Sequence, residues 1–190
     1  MNNLFPVFLK LEQMSLLIVG GGYVGLEKLE AVLKNSPKTN ISLVAPEISK
    51  EIQELAKTCN MTLLFEPYNK RHILGKNLVI VGTGLVEVSS VVQADCKETN
   101  ILVNVADNPP LCDFYLGSVV IKGDLKVAIS TNGKSPTFAK RFREILEQVL
   151  PDSLQETLDN LQLLRNRLKG DFEYKVKKLN EITNVMKKKS

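Results

Sequence analysis

Short apolar runs alternate with amphipathic stretches over the first two thirds of the chain. The continuous apolar runs predict buried strands at residues 16–19, 41–44, 61–65, 78–81 and 101–105. Helical spacing of apolar residues predicts helices over about 24–35, 48–58 and 86–99, and either Glu47 or Ser49 is suited to start the second of them. Strands that are apolar throughout and alternate with helices are typical of a parallel sheet covered by helices on both faces.

The pattern changes after Asp107. The Asn-Pro-Pro segment at 108–110 is incompatible with a regular element, and the apolar runs 114–121 and 126–130 then predict two further strands. The Gly-Asp dipeptide at 123–124 lies between these two runs. Because such a direct connection favours a hairpin, this part of the chain is predicted to be antiparallel.

The last third of the chain is predicted to be helical. Ser135 as N-cap and Pro136 at the first helical position start a helix that Pro151 ends. Asp152 or Ser153 caps the next helix, and a glycine separates it from a final basic helix. Leucines recur at helical spacing along this stretch, at Leu154, Leu158, Leu161, Leu164 and Leu168. Such a leucine-rich helix pair on a small domain predicts dimerisation, and packing on its own chain is the alternative.

Composition and charge exclude several classes of protein. With 190 residues, 44% hydrophobic and 24% charged, the chain can bury a core and is neither disordered, collagen-like nor a disulfide scaffold. The net charge of +4 is local, because residues 161–190 hold nine Lys or Arg against three acids, a charge of +6, while the remaining 16 cations and 18 acids give −2. We expect this tail to be a solvated helix face, with nucleic-acid binding as the alternative, and we expect no nucleic-acid or membrane partner.

Cysteine and histidine usage limits the chemistry. Cys59, Cys96 and Cys112 are far apart and form no CxxC pair, and no signal peptide or long apolar span is found, which indicates reduced thiols in a cytoplasmic protein. One histidine and three scattered cysteines lack the spacing of zinc ligands, so no metal site is predicted. His72 lies in a polar stretch, where a solvated loop is expected, and a Ser-His-Asp or Cys-His catalytic group would depend on it alone.

A glycine-rich segment directly follows the first predicted strand and opens the first helix. It matches the pattern G-x-G-x-x-G at Gly20, Gly22 and Gly25. In this pattern the first glycine allows a tight turn, the second lets the backbone approach a pyrophosphate, and the third lets helix and strand pack closely. The helix N-terminus then offers free N–H groups to the anion. Its β-α-β context favours a dinucleotide site over a structural glycine turn, and the predicted site contains Gly20, Gly21, Gly22, Tyr23, Val24 and Gly25.

The second predicted strand ends in Ala45, Pro46 and Glu47, which are also assigned to the cofactor site. In dinucleotide-binding folds an acid at this place binds the adenosine ribose. Glu47 lies 22 positions after Gly25, although the preceding Pro46 affects the direction in which its side chain points. No arginine cluster for a 2′-phosphate is present, which favours NAD over NADP. Thr83 follows the fourth strand and is a further cofactor-binding residue, because ligands bind at the carboxyl ends of such strands.

Seven blocks of sequence resemble the precorrin-2 dehydrogenase family, which includes the N-terminal part of siroheme synthases. They are Phe-Pro-Val-Phe-Leu-Lys-Leu at 5–11, Leu-Ile-Val-Gly-Gly-Gly at 17–22 with Lys28, Val-Ala-Pro at 44–46, Asn-Val-Ala-Asp at 104–107, Cys-Asp-Phe at 112–114, Ile-Ser-Thr-Asn-Gly-Lys-Ser-Pro at 129–136 and Arg-Glu at 143–144. The glycine fingerprint alone does not single out a family, but this ordered set over about residues 3–150 does.

The resemblance implies NAD-dependent oxidation of precorrin-2 to sirohydrochlorin, a step towards siroheme or cobalamin, by a cytoplasmic homodimer. Some members of the family also insert Fe²⁺ or Co²⁺ into the product. The resemblance further implies a Rossmann-like NAD-binding domain at 1–112, a small antiparallel and helical dimerisation region at 113–150 and a helical C-terminal domain at 151–190.

The key acid of the family corresponds to Asp107. With one poorly placed histidine, general acid–base work falls to a carboxylate, and Asp107 follows a predicted strand at the cofactor-facing edge. A turn-forming aspartate before Asn-Pro-Pro is the alternative, and both a role as base and a role in binding the substrate pyrroles stay open. The resemblance also places four residues at the substrate: Asn104, Thr131, Lys134 and Ser135. For Thr131, a simple hydroxyl at the end of the hairpin is equally consistent.

Three positions depart from the family. Gly84 stands where an acid is common, Glu27 where arginine is common and Gly117 where proline is common, and these changes affect cofactor details more than function. The main alternative function is an NAD-sensing regulatory module without catalysis. Such modules place an acid directly at the end of the second strand and lack the Asn-Val-x-Asp and Ser-Pro blocks. A third interpretation keeps the fold but makes the protein mainly a metal chelatase.

Overall fold

The structure is a computed structural model that describes residues 2–184. The chain divides into two compact units, Met1–Leu116 and Gly117–Ser190. The three domains expected from the sequence, with boundaries at 112 and 150, stay a prediction. No helix among residues 2–184 is long and apolar enough to span a lipid bilayer.

The first unit contains a five-stranded sheet in which every neighbouring pair of strands is parallel. Its elements in chain order are β1 (Ser15–Val19), α1 (Tyr23–Asn35), β2 (Asn40–Val44), α2 (Lys50–Ala56), β3 (Met61–Leu64), β4 (Leu78–Val81), α3 (Val86–Glu98) and β5 (Leu102–Val105). The strand order is β3-β2-β1-β4-β5, with β1 at the centre. Val19 is in register with Val44 and Val81, and Val81 with Val105, so the loops after these four strands begin at one level of the sheet.

Each face of the sheet has its own hydrophobic core, as the apolar runs predict. Leu29 of α1 and Ile52 of α2 pack with Leu16 and Ile18 on one face. The neighbouring residues of the same strands point the other way and pack with α3. Both sets are almost inaccessible to solvent, which confirms the predicted parallel sheet with helices on both faces.

Two predicted elements differ from the observed ones by more than one residue at an end. The helix predicted at 48–58 is shorter, because the Ser49 hydroxyl accepts a hydrogen bond from the Ile52 N–H and α2 begins only at residue 50. The strand predicted from residue 114 begins only at Ser118. Residues just before it are used elsewhere, since Asp113 is hydrogen bonded to Val103 of β5.

The second unit begins with the predicted antiparallel hairpin. Its elements are β6 (Ser118–Lys122), β7 (Leu125–Ile129), α4 (Pro136–Val149), α5 (Leu154–Arg167) and α6 (Phe172–Thr183). A two-residue Gly-Asp loop joins the strands, and the Asp124 N–H donates to Gln155 Oε1 of α5 at 2.7 Å. Ser135 caps α4 as predicted, and Ser153 takes the N-cap position of α5 without a side-chain cap bond.

The second unit has a small core. Among its described residues, Val120 and Ala139 are the only buried hydrophobic ones, and α5 and α6 bury none. The exposed apolar side chains of α4 lie four, three and four positions apart, at Phe138, Phe142, Ile145 and Val149. At this spacing they form one stripe along the helix.

Candidate functional site

The loop between β1 and α1 is fixed by backbone hydrogen bonds to its neighbours. The Gly20 N–H donates to the Val44 carbonyl of β2 at 3.0 Å, and the Gly21 carbonyl accepts from the Ser49 N–H at 2.9 Å. Gly20 has φ +126°, a backbone conformation that residues with a side chain rarely adopt. The tight turn predicted at Gly20 is therefore present.

The three motif glycines differ in what surrounds them. A Cβ on Gly20 would overlap the Gly82 carbonyl, and a Cβ on Gly25 would overlap the Gly20 carbonyl, so both positions require glycine for backbone packing. At Gly22, by contrast, a Cβ would meet no atom within 4 Å. Gly22 is thus open on the side where a Cβ would stand, and its predicted role in letting a pyrophosphate approach stays a prediction.

Gly21 has a role that the motif does not specify. A Cβ there would overlap the carbonyl oxygen of Glu47 and lie 2.9 Å from the Ile48 Cα. Gly21 therefore allows the loop after β2 to lie directly against the loop after β1. The sequence contained no separate signal for this contact, because it joins residues 26 positions apart.

The N-terminus of α1 suits an anion. Gly22 is the N-cap, no side chain caps the helix, and its first turn contains no acid. The first N–H groups of an α-helix have no partner within the helix, and its dipole adds positive potential there. Tyr23 is 81% exposed beside this end, whereas Val24 is half-buried. The arrangement fits the phosphates of a dinucleotide.

The other cofactor-site residues follow β2 and β4. Ala45 is buried, while Pro46 and Glu47 are exposed, and the Glu47 carboxylate makes no hydrogen bond to any of residues 2–184. Thr83 is half-buried, and its hydroxyl accepts from the Leu85 N–H at 3.1 Å at the start of α3. Glu47 is therefore available to a ligand, whereas the Thr83 hydroxyl already has a partner within the protein.

Asp107 follows β5 and has an unusual backbone. Its φ of +59° lies in the left-handed region, and the Asn108 N–H donates to the Val105 carbonyl at 3.3 Å, which closes a turn with Asp107 at its third position. Glycine is the preferred residue there in turns of this kind. The side chain is exposed and makes no hydrogen bond or ion pair within the described part of the chain. A strained, unpaired carboxylate is the type of feature that supports a functional role.

The segment after Asp107 lies along the outer edge of β5. The Asp113 N–H donates to the Val103 carbonyl at 2.8 Å, and the Val103 N–H donates to Asp113 Oδ2 at 2.9 Å. Asn104 is buried and its amide donates to the Phe114 carbonyl at 2.8 Å. Asn104 thus has a structural contact, and its predicted contact with substrate stays a prediction.

Three predicted substrate residues lie in one loop of the second unit. Thr131 Oγ1 accepts from the Ser135 N–H at 3.1 Å, and Ser135 Oγ accepts from the Phe138 N–H at 3.1 Å. Lys134 is exposed between them. The structure therefore brings Thr131, Lys134 and Ser135 together, and their predicted contact with a substrate stays a prediction.

The prediction for His72 was wrong. Its side chain is only 5% exposed, its Nδ1 accepts from the Asn69 N–H at 3.0 Å, and its Nε2 lies 2.9 Å from Glu66 Oε1. The ring closes the 3₁₀ turn at residues 70–73, so it is a structural group and not a solvated one. Within residues 2–184, no three His, Cys, Asp or Glu side chains are placed to hold a metal ion.

A parallel sheet whose central strand ends in a glycine-rich loop and opens a helix with a free N-terminus defines a Rossmann-type dinucleotide-binding protein. Residues 7–118 match the family described as "Putative NAD(P)-binding", and residues 122–148 match "Sirohaem biosynthesis protein central". The chain belongs to the siroheme synthase N-terminal, precorrin-2 dehydrogenase family.

Curated relatives and a solved structure agree with this assignment. The chain is 42% identical over 149 residues to a siroheme synthase of Psychrobacter sp. (strain PRwf-1), covering 78% of this chain and 30% of that protein. It is 36% identical over 169 residues to one of Pseudoalteromonas translucida, covering 89% and 35%. The chain thus spans about a third of the length of these relatives. A structure named "SirC, precorrin-2 dehydrogenase" matches with a TM-score of 0.76 and 27% identity, covering 94% of this chain and 89% of that one.

Proposed function

We propose that this chain is an NAD-dependent dehydrogenase that oxidises precorrin-2 to sirohydrochlorin. The names of its relatives support this substrate and pathway. The observation that carries the proposal is the position of Asp107, because its unpaired carboxylate follows β5 on the same edge of the sheet as the glycine loop. In this proposal, the dinucleotide and the acid–base group would therefore share one edge of the sheet.

The reaction removes two hydrogens from the macrocycle. A bound NAD⁺ would supply the acceptor for one of them, which leaves with its electron pair as a hydride, and the other leaves as a proton. Asp107 is the residue proposed to receive that proton, or to bind the pyrrole N–H groups while it leaves. Strands β1 and β5 are separated by β4 alone, about 10 Å at the usual strand spacing, a distance that a dinucleotide can span.

NAD is proposed over NADP as the cofactor. Residues 45–49 after β2 contain no Arg or Lys that could bind a 2′-phosphate, and Glu47 offers an unpaired carboxylate to a ribose hydroxyl. The phosphates are proposed to lie at Gly22 and the first turn of α1. Tyr23, Ala45, Pro46 and Thr83 complete the proposed pocket.

We also infer that the protein is a cytoplasmic homodimer. The stripe of apolar side chains along α4 is exposed, and the second unit buries few residues of its own, so a second copy of the chain would give it a larger core. All three cysteines are free thiols, as in cytoplasmic proteins. Substrate contacts of Thr131, Lys134 and Ser135 are part of this proposal.

The proposal is tested by anaerobic incubation with precorrin-2 and either NAD⁺ or NADP⁺. We expect sirohydrochlorin and NADH to appear in equal amounts, with NADP⁺ used much less well. Binding of NAD⁺ without turnover would overturn the dehydrogenase proposal and favour a sensing module. A separate incubation of sirohydrochlorin with Fe²⁺ or Co²⁺ decides whether metal insertion exceeds the uncatalysed rate, in which case the four macrocycle nitrogens would supply the metal ligands.

A further inference from the structure

We propose that Cys112 is a positioning residue for Asp107, which it holds in the left-handed backbone conformation through hydrogen bonds of its thiol. This inference rests on the proposed function, because it assigns a partner to the proposed acid–base residue. Cys112 itself touches neither the macrocycle nor the dinucleotide in this proposal. Its effect on the reaction passes through the turn at residues 105–108.

The turn requires an external support. Asp107 has φ +59°, a conformation that is unfavourable for an L-residue relative to right-handed backbone, though less so for aspartate than for bulkier residues. The single hydrogen bond within the turn, from the Asn108 N–H to the Val105 carbonyl, is long at 3.3 Å. Strained backbone persists only where the surroundings determine it.

The Cys112 thiol contacts both ends of this turn. Its Sγ accepts from the Val105 N–H at 3.2 Å and lies 3.2 Å from the Val105 carbonyl oxygen. The same sulfur lies 3.4 Å from the Asn108 carbonyl oxygen. One thiol therefore ties the first residue of the turn to the last, and Asp107 is held between them.

The thiol also supplies a hydrogen-bond acceptor that a neighbouring strand would otherwise provide to β5. β5 is at the edge of the sheet, and Val105, its last residue, is buried. An unpaired buried N–H is costly, and among the described residues no further strand lies beyond β5 to accept it. The Asp113 carboxylate accepts from the Val103 N–H in the same way. The adjacent side chains of Cys112 and Asp113 thus act as hydrogen-bond acceptors for the outer edge of β5.

The state of the thiol suits this role. Burial raises the pKa of the Cys112 thiol above its ordinary value, so the sulfur keeps its proton at neutral pH and can still donate to a carbonyl. A thiolate would accept from Val105 but could not donate to either carbonyl. The sulfur therefore acts as both donor and acceptor within the turn.

The test compares three variants of Cys112 with a matched control. Cys112→Ala removes both hydrogen-bonding functions, Cys112→Val fills the volume without restoring them, and Cys112→Ser restores a donor and an acceptor. Cys96→Ala is the control, because this thiol is equally a free cysteine of the first unit, is fully buried and makes none of these contacts. Each protein is measured for thermal unfolding, for kcat and KM with precorrin-2 and NAD⁺, and for amide exchange of Val105.

We expect Cys112→Ala and Cys112→Val to lower kcat by about ten- to a hundredfold, since a misplacement of about 1 Å has effects of that size, with KM for NAD⁺ unchanged. Cys112→Ser should recover most of the lost kcat, and Cys96→Ala should lower stability without changing kcat. In an Asp107→Asn background, Cys112→Ala should reduce kcat no further. Valine or alanine variants with wild-type kcat, or an equal loss in Cys96→Ala, would overturn the proposal.

Amide exchange separates this proposal from the proposed function. If the wild-type protein does not oxidise precorrin-2, the proposed function is refuted, but the amide exchange rate of Val105 still reports on the turn. We expect the Val105 amide to be protected in the wild type and in Cys112→Ser, and to exchange faster in Cys112→Ala and Cys112→Val. Unchanged protection in all variants would refute the positioning role whatever the activity.

Discussion

Two substitutions in the glycine loop are expected to have different effects, one on the stability of the fold and the other on the affinity for NAD⁺. A methyl group on Gly25 would overlap the Gly20 carbonyl oxygen and lie 2.9 Å from its carbonyl carbon. Both atoms belong to the backbone, so α1 would have to move away from the loop, and overpacking of this kind costs about 1–3 kcal/mol. At about 2–4 °C per kcal/mol for a chain of this size, we expect Gly25→Ala to lower Tm by roughly 2–12 °C.

Gly22→Ala should behave in the opposite way. Gly22 has φ −93° and ψ −160°, which alanine adopts without strain, and the added methyl meets no atom within 4 Å. The change in N-cap residue costs less than about 1 kcal/mol. The methyl would occupy the open side where a pyrophosphate is proposed to approach, so we expect NAD⁺ affinity to fall at least tenfold, about 1.4 kcal/mol.

Calorimetric unfolding and NAD⁺ titration of both variants make the comparison. Gly75→Ala is a control for the effect of backbone strain on unfolding. Its added methyl meets no atom within 4 Å, but its φ of +72° strains the backbone at a position outside the proposed cofactor site. NAD⁺ binding by Gly22→Ala with wild-type affinity would refute the proposed place of the pyrophosphate. A Gly25→Ala protein with unchanged Tm would refute the close packing of α1 on the loop.

Three further predictions concern other parts of the structure. Hydrogen bonds from His72 and Arg71 lower the pKa of Glu66, so the stabilisation that they give is present above the ordinary glutamate pKa of about 4.3 and is lost as pH falls through the lower folded pKa. Glu66→Gln should therefore flatten the loss of Tm with acidification. The same slope of Tm against pH in wild type and variant would contradict the assignment. Gly123→Ala should lower Tm by more than Gly133→Ala, as measured by calorimetry. Both glycines have left-handed backbone, but only the methyl at Gly123 would overlap Gln155. Equal losses of Tm would show that this contact is unimportant. An Ile145→Asp substitution on α4 should convert the proposed homodimer to monomer in light scattering, and a wild-type protein that is already monomeric at micromolar concentration would refute the dimer.

The elements of the first unit were predictable because its central strands, β1 and β4, are buried on both faces. Continuous apolar runs such as Leu78–Val81 have no polar position that would make their length ambiguous, and this strand has the predicted bounds. The roles of Gly20 and Gly25 were predictable for a different reason, because each follows from a steric requirement of the motif. Both kinds of inference depend on residues close in sequence.

Features that depend on distant contacts were not predictable. His72 lies in a polar segment, and only the fold places its ring over Asn69 and beside Glu66, away from solvent. The cysteine and aspartate at 112–113 matched the family as a block, but their pairing with the edge of β5 requires knowledge of which strand is outermost. The left-handed backbone of Asp107 likewise depends on how the following segment returns to that strand.

The most direct test of the account is the turnover of Asp107→Asn with precorrin-2 and NAD⁺ under anaerobic conditions. Asparagine has nearly the same shape as aspartate and tolerates left-handed backbone, so the variant should fold with the wild-type Tm and bind NAD⁺ normally. We expect its rate of sirohydrochlorin formation to fall by about a hundredfold or more, within the range that general acid–base groups contribute. An Asp107→Asn protein that forms sirohydrochlorin at the wild-type rate would contradict the central claim that this carboxylate serves the reaction.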